Sequence, residues 1–141
     1  MANDAKLDHL KDVRLFSSCT KKELTHLGRA SDEITVPAGK VIVEEGSFGH
    51  DFFMILEGEA DVTVGKKKVA SLGPGGYFGE LAILDRAPRN ATVTARTPMR
   101  LLLLGQREFS SVLDEVPGLA HKLLVQMAGR LREQDAKAVS H

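Results

Sequence analysis

Leu7, Leu10 and Val13 recur at helical spacing, and Leu15-Phe16 close the segment they begin. Thr20-Lys21-Lys22-Glu23 has the form of a capping box, with Thr20 starting a helix and Glu23 reaching back to the Thr20 amide. Leu24, Leu27 and Ala30 give this second helix an apolar face. From Ser31 to Gly105 the texture changes to short β-rich runs: Ile34 to Val36, Val41 to Val43, Phe52 to Leu56, Ala60 to Val64, Val69 to Leu72, Ala91 to Ala95 and Met99 to Leu104. The breaks between them are rich in glycine, at Pro37-Ala38-Gly39-Lys40, Gly46 to Gly49, Glu57-Gly58-Glu59, Gly65 to Lys68 and Gly73-Pro74-Gly75-Gly76. Many short strands at this spacing predict a mainly β fold, an antiparallel sandwich or jelly roll with flanking helices. Helical texture returns after Gly105. Glu108 to Glu115 reads as one helix, and Pro117 suits the first turn of the next. Ala120, Leu124, Met127 and Leu131 then follow 4-3-4 spacing, flanked by Leu119 and Leu123, and predict a core-facing stripe in which Met127 is filler. Beyond Leu131 the helix turns polar, and Ser140-His141 is expected to fray.

Composition narrows the function classes. The 141 residues suit one domain with one hydrophobic core, and 43% hydrophobic with 27% charged residues is ordinary for a globular protein. Nineteen basic residues balance nineteen acidic ones, which argues against a general nucleic-acid binder with its basic face. The single Cys19 excludes an internal disulfide and a cysteine-only metal site, and is expected to be a small apolar core residue near the first helices. No apolar run approaches the roughly 20 residues of a membrane span, and the N-terminus lacks a signal-peptide core, so a cytoplasmic location is the default expectation. His9, His26, His50, His121 and His141 are scattered, without the clustered ligands of a metal-dependent jelly-roll enzyme. No serine, histidine and acid set is legible either. The Lys66 to Lys68 run reads as a solvated hairpin turn.

The chemistry concentrates in residues 78–93. A turn at Gly79 carries the carboxylate of Glu80 into one short helical turn, and Arg89 follows nine residues later, before a β-type run. Free amides at a helix start attract an anion. A guanidinium grips phosphate oxygens through charge-assisted bonds, and Glu80 can only accept, which suits a sugar hydroxyl. A ligand carrying both a donor and a phosphate fits such a set; a buried Glu80–Arg89 ion pair in a sandwich that binds nothing is the bland alternative. The run closely resembles the phosphate-binding cassette of cyclic nucleotide-binding domains. The resemblance extends over nearly the whole chain, through Leu15-Phe16, Pro37-Ala38-Gly39, the Gly46 turn and Ile55-Leu56-Glu57-Gly58-Glu59 to the last helix.

That resemblance implies an eight-stranded antiparallel β-roll with an N-terminal helical pair and two C-terminal helices. One domain over residues 1–141 is expected, with helices in 1–30, the roll in 31–105 and C-terminal helices in 106–137. It further implies that Glu80 takes the ribose 2′-hydroxyl and Arg89 the cyclic phosphate. Amides around Gly79, Leu81, Ala82 and Ala91 would complete the cradle, where small residues let backbone approach an anion. Val62 and Val64 would wall the base, and Leu131 on the final helix would cover it as a lid, with Gly129 as a weak point or a close-packing site. Arg86 reads as a solvated loop charge. Two positions depart from the family pattern. His50 stands where many relatives place an aspartate that braces the cassette arginine, with Asp51 next to it. Asn90 follows the arginine where relatives carry threonine or alanine; its amide can meet a guanine amino group, the phosphate or solvent. The reading is a cyclic-nucleotide sensor without catalytic activity, cofactor or metal. Its ligand is cyclic AMP, with cyclic GMP the alternative, and it acts on a protein effector in trans. A structural or protein-interaction β-roll with a vestigial pocket is the competing class. No helix-turn-helix or catalytic domain is expected beyond the last helix.

Overall fold

The alternating runs of residues 31–105 form two four-stranded antiparallel sheets, and the flanking segments form helices. The computed structural model describes residues 2–13, 16–79 and 88–139. Along the chain come α1 (Ala2–Asp12), α2 (Lys21–Ala30), β1 (Asp32–Val36), β2 (Val41–Val43), β3 (Asp51–Glu57), β4 (Ala60–Val64), β5 (Lys67–Leu72), β6 (Tyr77–Phe78), β7 (Thr92–Ala95), β8 (Met99–Gly105), α3 (Gln106–Glu115) and α4 (Leu119–Val139). One sheet is ordered β1-β8-β3-β6 and the other β2-β7-β4-β5. Among the described residues the chain is therefore mainly β, with eight strands and four helices, and no helix is long and apolar enough to cross a membrane.

Strand β3 explains why two cores share one sheet. Residues Phe52 to Leu56 are all buried, so the period-two alternation of a half-exposed strand vanishes there. Phe53 and Ile55 point between the sheets, against Phe78, Val93, Ala95 and Leu101. Phe52, Met54 and Leu56 point the other way, into a cluster with Leu10, Phe16, Leu24, Leu27, Phe109, Leu119 and Leu123 from the helices. Strand β8 divides likewise, Leu101 entering the first core and Leu102 and Leu104 the second. Phe53 stacks on Phe78 at 4.9 Å, and Phe16 meets Phe52 edge-on at 6.1 Å. The helices are thus welded to the back of the sheet whose interior faces the other sheet.

The structure departs from the sequence reading in four places. The β4–β5 turn is Gly65-Lys66 alone, and Lys67 and Lys68 extend β5 opposite Val64 and Thr63. A two-residue strand, β6, pairs with Phe53 and Met54 and is too short to leave a periodic signal. Pro117 lies in a turn, with α4 beginning at Leu119. The buried row of α4 is Leu119 and Leu123 with Met127 packed beside them, whereas Ala120 and Leu124 are exposed. Apolar residues cover much of that helix, so spacing alone did not choose between two adjacent rows; the row that reaches Leu24 and Leu27 won. Leu15 lies outside the described residues.

The capping box forms as the sequence predicts. Thr20 N donates to Glu23 Oε1 at 2.7 Å, and Glu23 N donates to Thr20 Oγ1 at 3.2 Å. Glu23 also accepts from Lys122 Nζ of α4 at 2.6 Å. Burial alone pushes the Glu23 carboxyl up, but the Lys122 and Thr20 hydrogen bonds outweigh it and hold the group below its usual value. Cys19 sits beside this pair, its thiol pushed up to about 11 by burial, then by Glu23, against the opposing charge of Lys122. It is an inert core thiol.

A carboxyl held low in the folded state contributes stability above its unfolded value, and that contribution is lost as pH falls through the lower folded value. Glu23→Gln should therefore cost about 1–3 kcal/mol near neutral pH. The deficit should shrink toward zero as pH falls below about 4. Urea unfolding of parent and variant from neutral pH to about pH 3 checks this, and a pH-independent deficit would show that the charge is not its source.

Candidate functional site

The residues before β7 are held against the β2–β3 turn by paired main-chain bonds. Arg89 N donates to Ser47 O at 2.7 Å, and Gly46 N donates to Arg89 O at 2.8 Å. This two-way exchange fixes the Arg89 backbone at one register. On either side, Glu45 N donates to Thr92 Oγ1 at 2.9 Å, and Gly65 N donates to Glu45 Oε1 at 2.8 Å, bringing the β4–β5 turn to the same end of the sheet.

The Arg89 side chain then crosses between two glycines. A Cβ at Gly49 would overlap Nη2 and lie 2.8 Å from Nε and 2.9 Å from Cζ. A Cβ at Gly79 would lie 2.6 Å from Nη1 and 2.7 Å from the Asp51 carbonyl oxygen. Gly79 also has φ of +86°, a conformation that side chains disfavour. Nη2 donates to that Asp51 oxygen at 3.0 Å, and Nη1 is buried. The guanidinium lies against both glycines and is braced along one edge, an arrangement that suits a bidentate anion contact.

This brace bears on the departure at His50. An acceptor for Arg89 is a main-chain oxygen of the neighbouring residue, which any side chain leaves in place. His50 is exposed, and its own carbonyl accepts from Gln106 N at 2.8 Å, at the start of α3. The first two residues of the β3 region thus link the arginine to the C-terminal helices.

Of the residues expected to bind ligand, Gly79 and Arg89 come together directly. Asn90 is exposed beside them, and Ala91 is half-buried before β7. Val62 is half-buried opposite Val93 and packs on the inter-sheet core, while Val64 is 44% exposed next to the Gly65 turn. Glu80, Leu81, Ala82 and Arg86 lie outside the described residues, as does the side chain of Leu131. Sequence reasoning missed Gly49, Ser47 and the Asp51 carbonyl as members of the site. Gly46 to Gly49 was legible as a turn, but the second glycine's purpose depends on an arginine forty residues away crossing over it. Nothing local signals that.

Comparison with known proteins bears on the family and the fold. Residues 33–116, more than half of the chain, match the family model described as "Cyclic nucleotide-binding domain". A cAMP-dependent protein kinase regulatory subunit of Hypocrea atroviridis is 36% identical over 113 residues, which cover 80% of this chain and 24% of that protein. The chain thus spans about a quarter of that relative's length. The N-terminal domain of a transcriptional regulator from Streptomyces coelicolor A3(2) is similar in structure, with TM-score 0.81 and 29% identity over 93% of this chain and 95% of that one. The regulatory domain of Toxoplasma gondii PKA, solved with cAMP, gives TM-score 0.71 and 30% identity over 79% of this chain and 44% of that one. On the family match and the two-sheet fold together, the chain belongs to the cyclic nucleotide-binding domain family.

Proposed function

We propose that the chain is a regulatory sensor that binds cyclic AMP and carries out no chemistry on it. The observation that carries this reading is the guanidinium of Arg89, seated between Gly49 and Gly79 with Nη2 on the Asp51 oxygen. A cation fixed this way can meet a singly charged phosphodiester without first losing side-chain freedom. Glu80 would accept from the ribose 2′-hydroxyl, and amides from Gly79 through Ala82 and at Ala91 would add donors to the phosphate. Val62 and Val64 would line one face of the base, and the exposed Asn90 would stand at the rim. A shift of α4 that carries Leu131 over the other face would couple binding to a protein effector in trans, provided ligand binds one helix position better than the other. The curated relative supports this reading by its description as a cAMP-dependent regulatory subunit, and the Toxoplasma structure by its bound cAMP.

Cyclic AMP should raise the melting temperature in a concentration-dependent way, because it binds the folded state. Linear 5′-AMP should do so far less, since its second charge and free rotation add cost. Equal shifts with both nucleotides would show that the cyclic phosphodiester is not what the site recognises.

Arg89→Ala should weaken cyclic AMP binding by on the order of 2–5 kcal/mol, roughly 30-fold to several thousand-fold. Binding within about threefold of the parent would remove Arg89 from the phosphate site.

Gly49→Ala adds one methyl where the guanidinium lies, and overpacking of this kind costs about 1–3 kcal/mol. The loss should fall on affinity, at about tenfold or more, because the arginine moves more easily than the sheet. With Arg89→Ala already present, Gly49→Ala should cost nothing further. Additive losses in the double variant would show that the glycine acts elsewhere.

A further inference from the structure

The last helix meets the N-terminal helices through apolar side chains and a directional contact. Leu24 and Leu27 of α2 share a cluster with Leu119 and Leu123 of α4. Such contact is non-directional, so packed helices can shear past each other while keeping it. Lys122 Nζ donates to Glu23 Oε1 across 99 residues of sequence. We propose that the Glu23–Lys122 pair is a strut joining α2 and α4 into one moving body, so that a displacement of α4 is delivered to the N-terminal helices.

Both ends of the strut are fixed. Glu23 is 7% exposed, and its Oε1 also accepts the Thr20 amide, so the carboxylate cannot follow a sliding helix without breaking the cap of α2. Lys122 lies in the first turn of α4, where its own amide donates to Gly118 O at 3.1 Å. The strut therefore grips α4 at its root, beside the turn about which it would swing. A second tie, His26 Nδ1 to Glu115 Oε2 at 3.4 Å, reaches α3 instead, and its carboxylate is 64% exposed and screened by solvent. Cys19 is a titratable neighbour of the pair. The nucleotide reading supplies the signal that the strut would carry, whereas the mechanical coupling is a property of the ligand-free chain.

Amide hydrogen exchange of the full chain tests both, using the parent, Lys122→Met, Lys122→Arg and Glu23→Gln. Glu23→Gln keeps an oxygen for the Thr20 amide while removing the charge. Without nucleotide, amides of residues 21–30 and 119–129 in the parent should open together and respond alike to low denaturant. In Lys122→Met and Glu23→Gln the two helices should separate, α4 exchanging about tenfold or more faster than α2, and Lys122→Arg should restore common opening. With saturating cyclic AMP, the parent should change protection in both helices. Lys122→Met should change it in α4 alone, at an affinity within about threefold of the parent. Common opening that survives in Lys122→Met and Glu23→Gln overturns the strut, as does an α2 response that persists in Lys122→Met. A parent that binds no cyclic AMP overturns the nucleotide reading, and the ligand-free comparison then decides the strut by itself.

Discussion

A guanidinium can hold a phosphate tightly only if it has nowhere else to go. Here Arg89 is confined by Gly49, by Gly79 and by the Asp51 carbonyl oxygen, three elements drawn from the turn before β3, the start of β3 and the residue after β6. Each of those elements needs the two-sheet frame to exist before the arginine can be seated. The β2–β3 turn must receive the Arg89 backbone through Ser47 and Gly46, and β6 must pair with β3 so that Gly79 follows at the right place. The site is a consequence of strand register, and the register is fixed by the two apolar cores on either side of β3.

Strand β3 is also the route by which the site meets the helices. Its first residue supplies the oxygen for Arg89, and the residue before it supplies the oxygen for Gln106 at the start of α3. Its buried face then packs on α2 and α4 through Phe52, Met54 and Leu56. Movement of the arginine by a bound anion would act on an element that is packed tightly on both faces. Close packing transmits such strain instead of absorbing it.

Much of the fold was legible because its signals are local. Thr20 and Glu23 announce the α2 cap, glycine and proline mark the turns, and Val41 to Val43 and Ala60 to Val64 read as strands with the bounds they have. Legibility failed where the deciding contact is distant. The β6 pair has two residues and no period of its own, and the choice of Leu119 and Leu123 over Ala120 and Leu124 is made by α2, not by α4. At the site, Arg89 was legible from its place in the run after Gly79. Its brace was not, because a main-chain oxygen carries no sequence signature and the eye goes to the His50 and Asp51 side chains instead.

The central claim is that the seated edge of Arg89 receives the ligand's phosphate. Side-chain ¹⁵N NMR of the arginines during titration with cyclic AMP tests it most directly, with Arg89→Lys assigning the signal. The account predicts that the Arg89 Nε resonance shifts progressively and saturates with the backbone signals of the site. Backbone shifts that saturate while the Arg89 resonance stays in place would mean that the nucleotide binds without this arginine, and the account would be wrong.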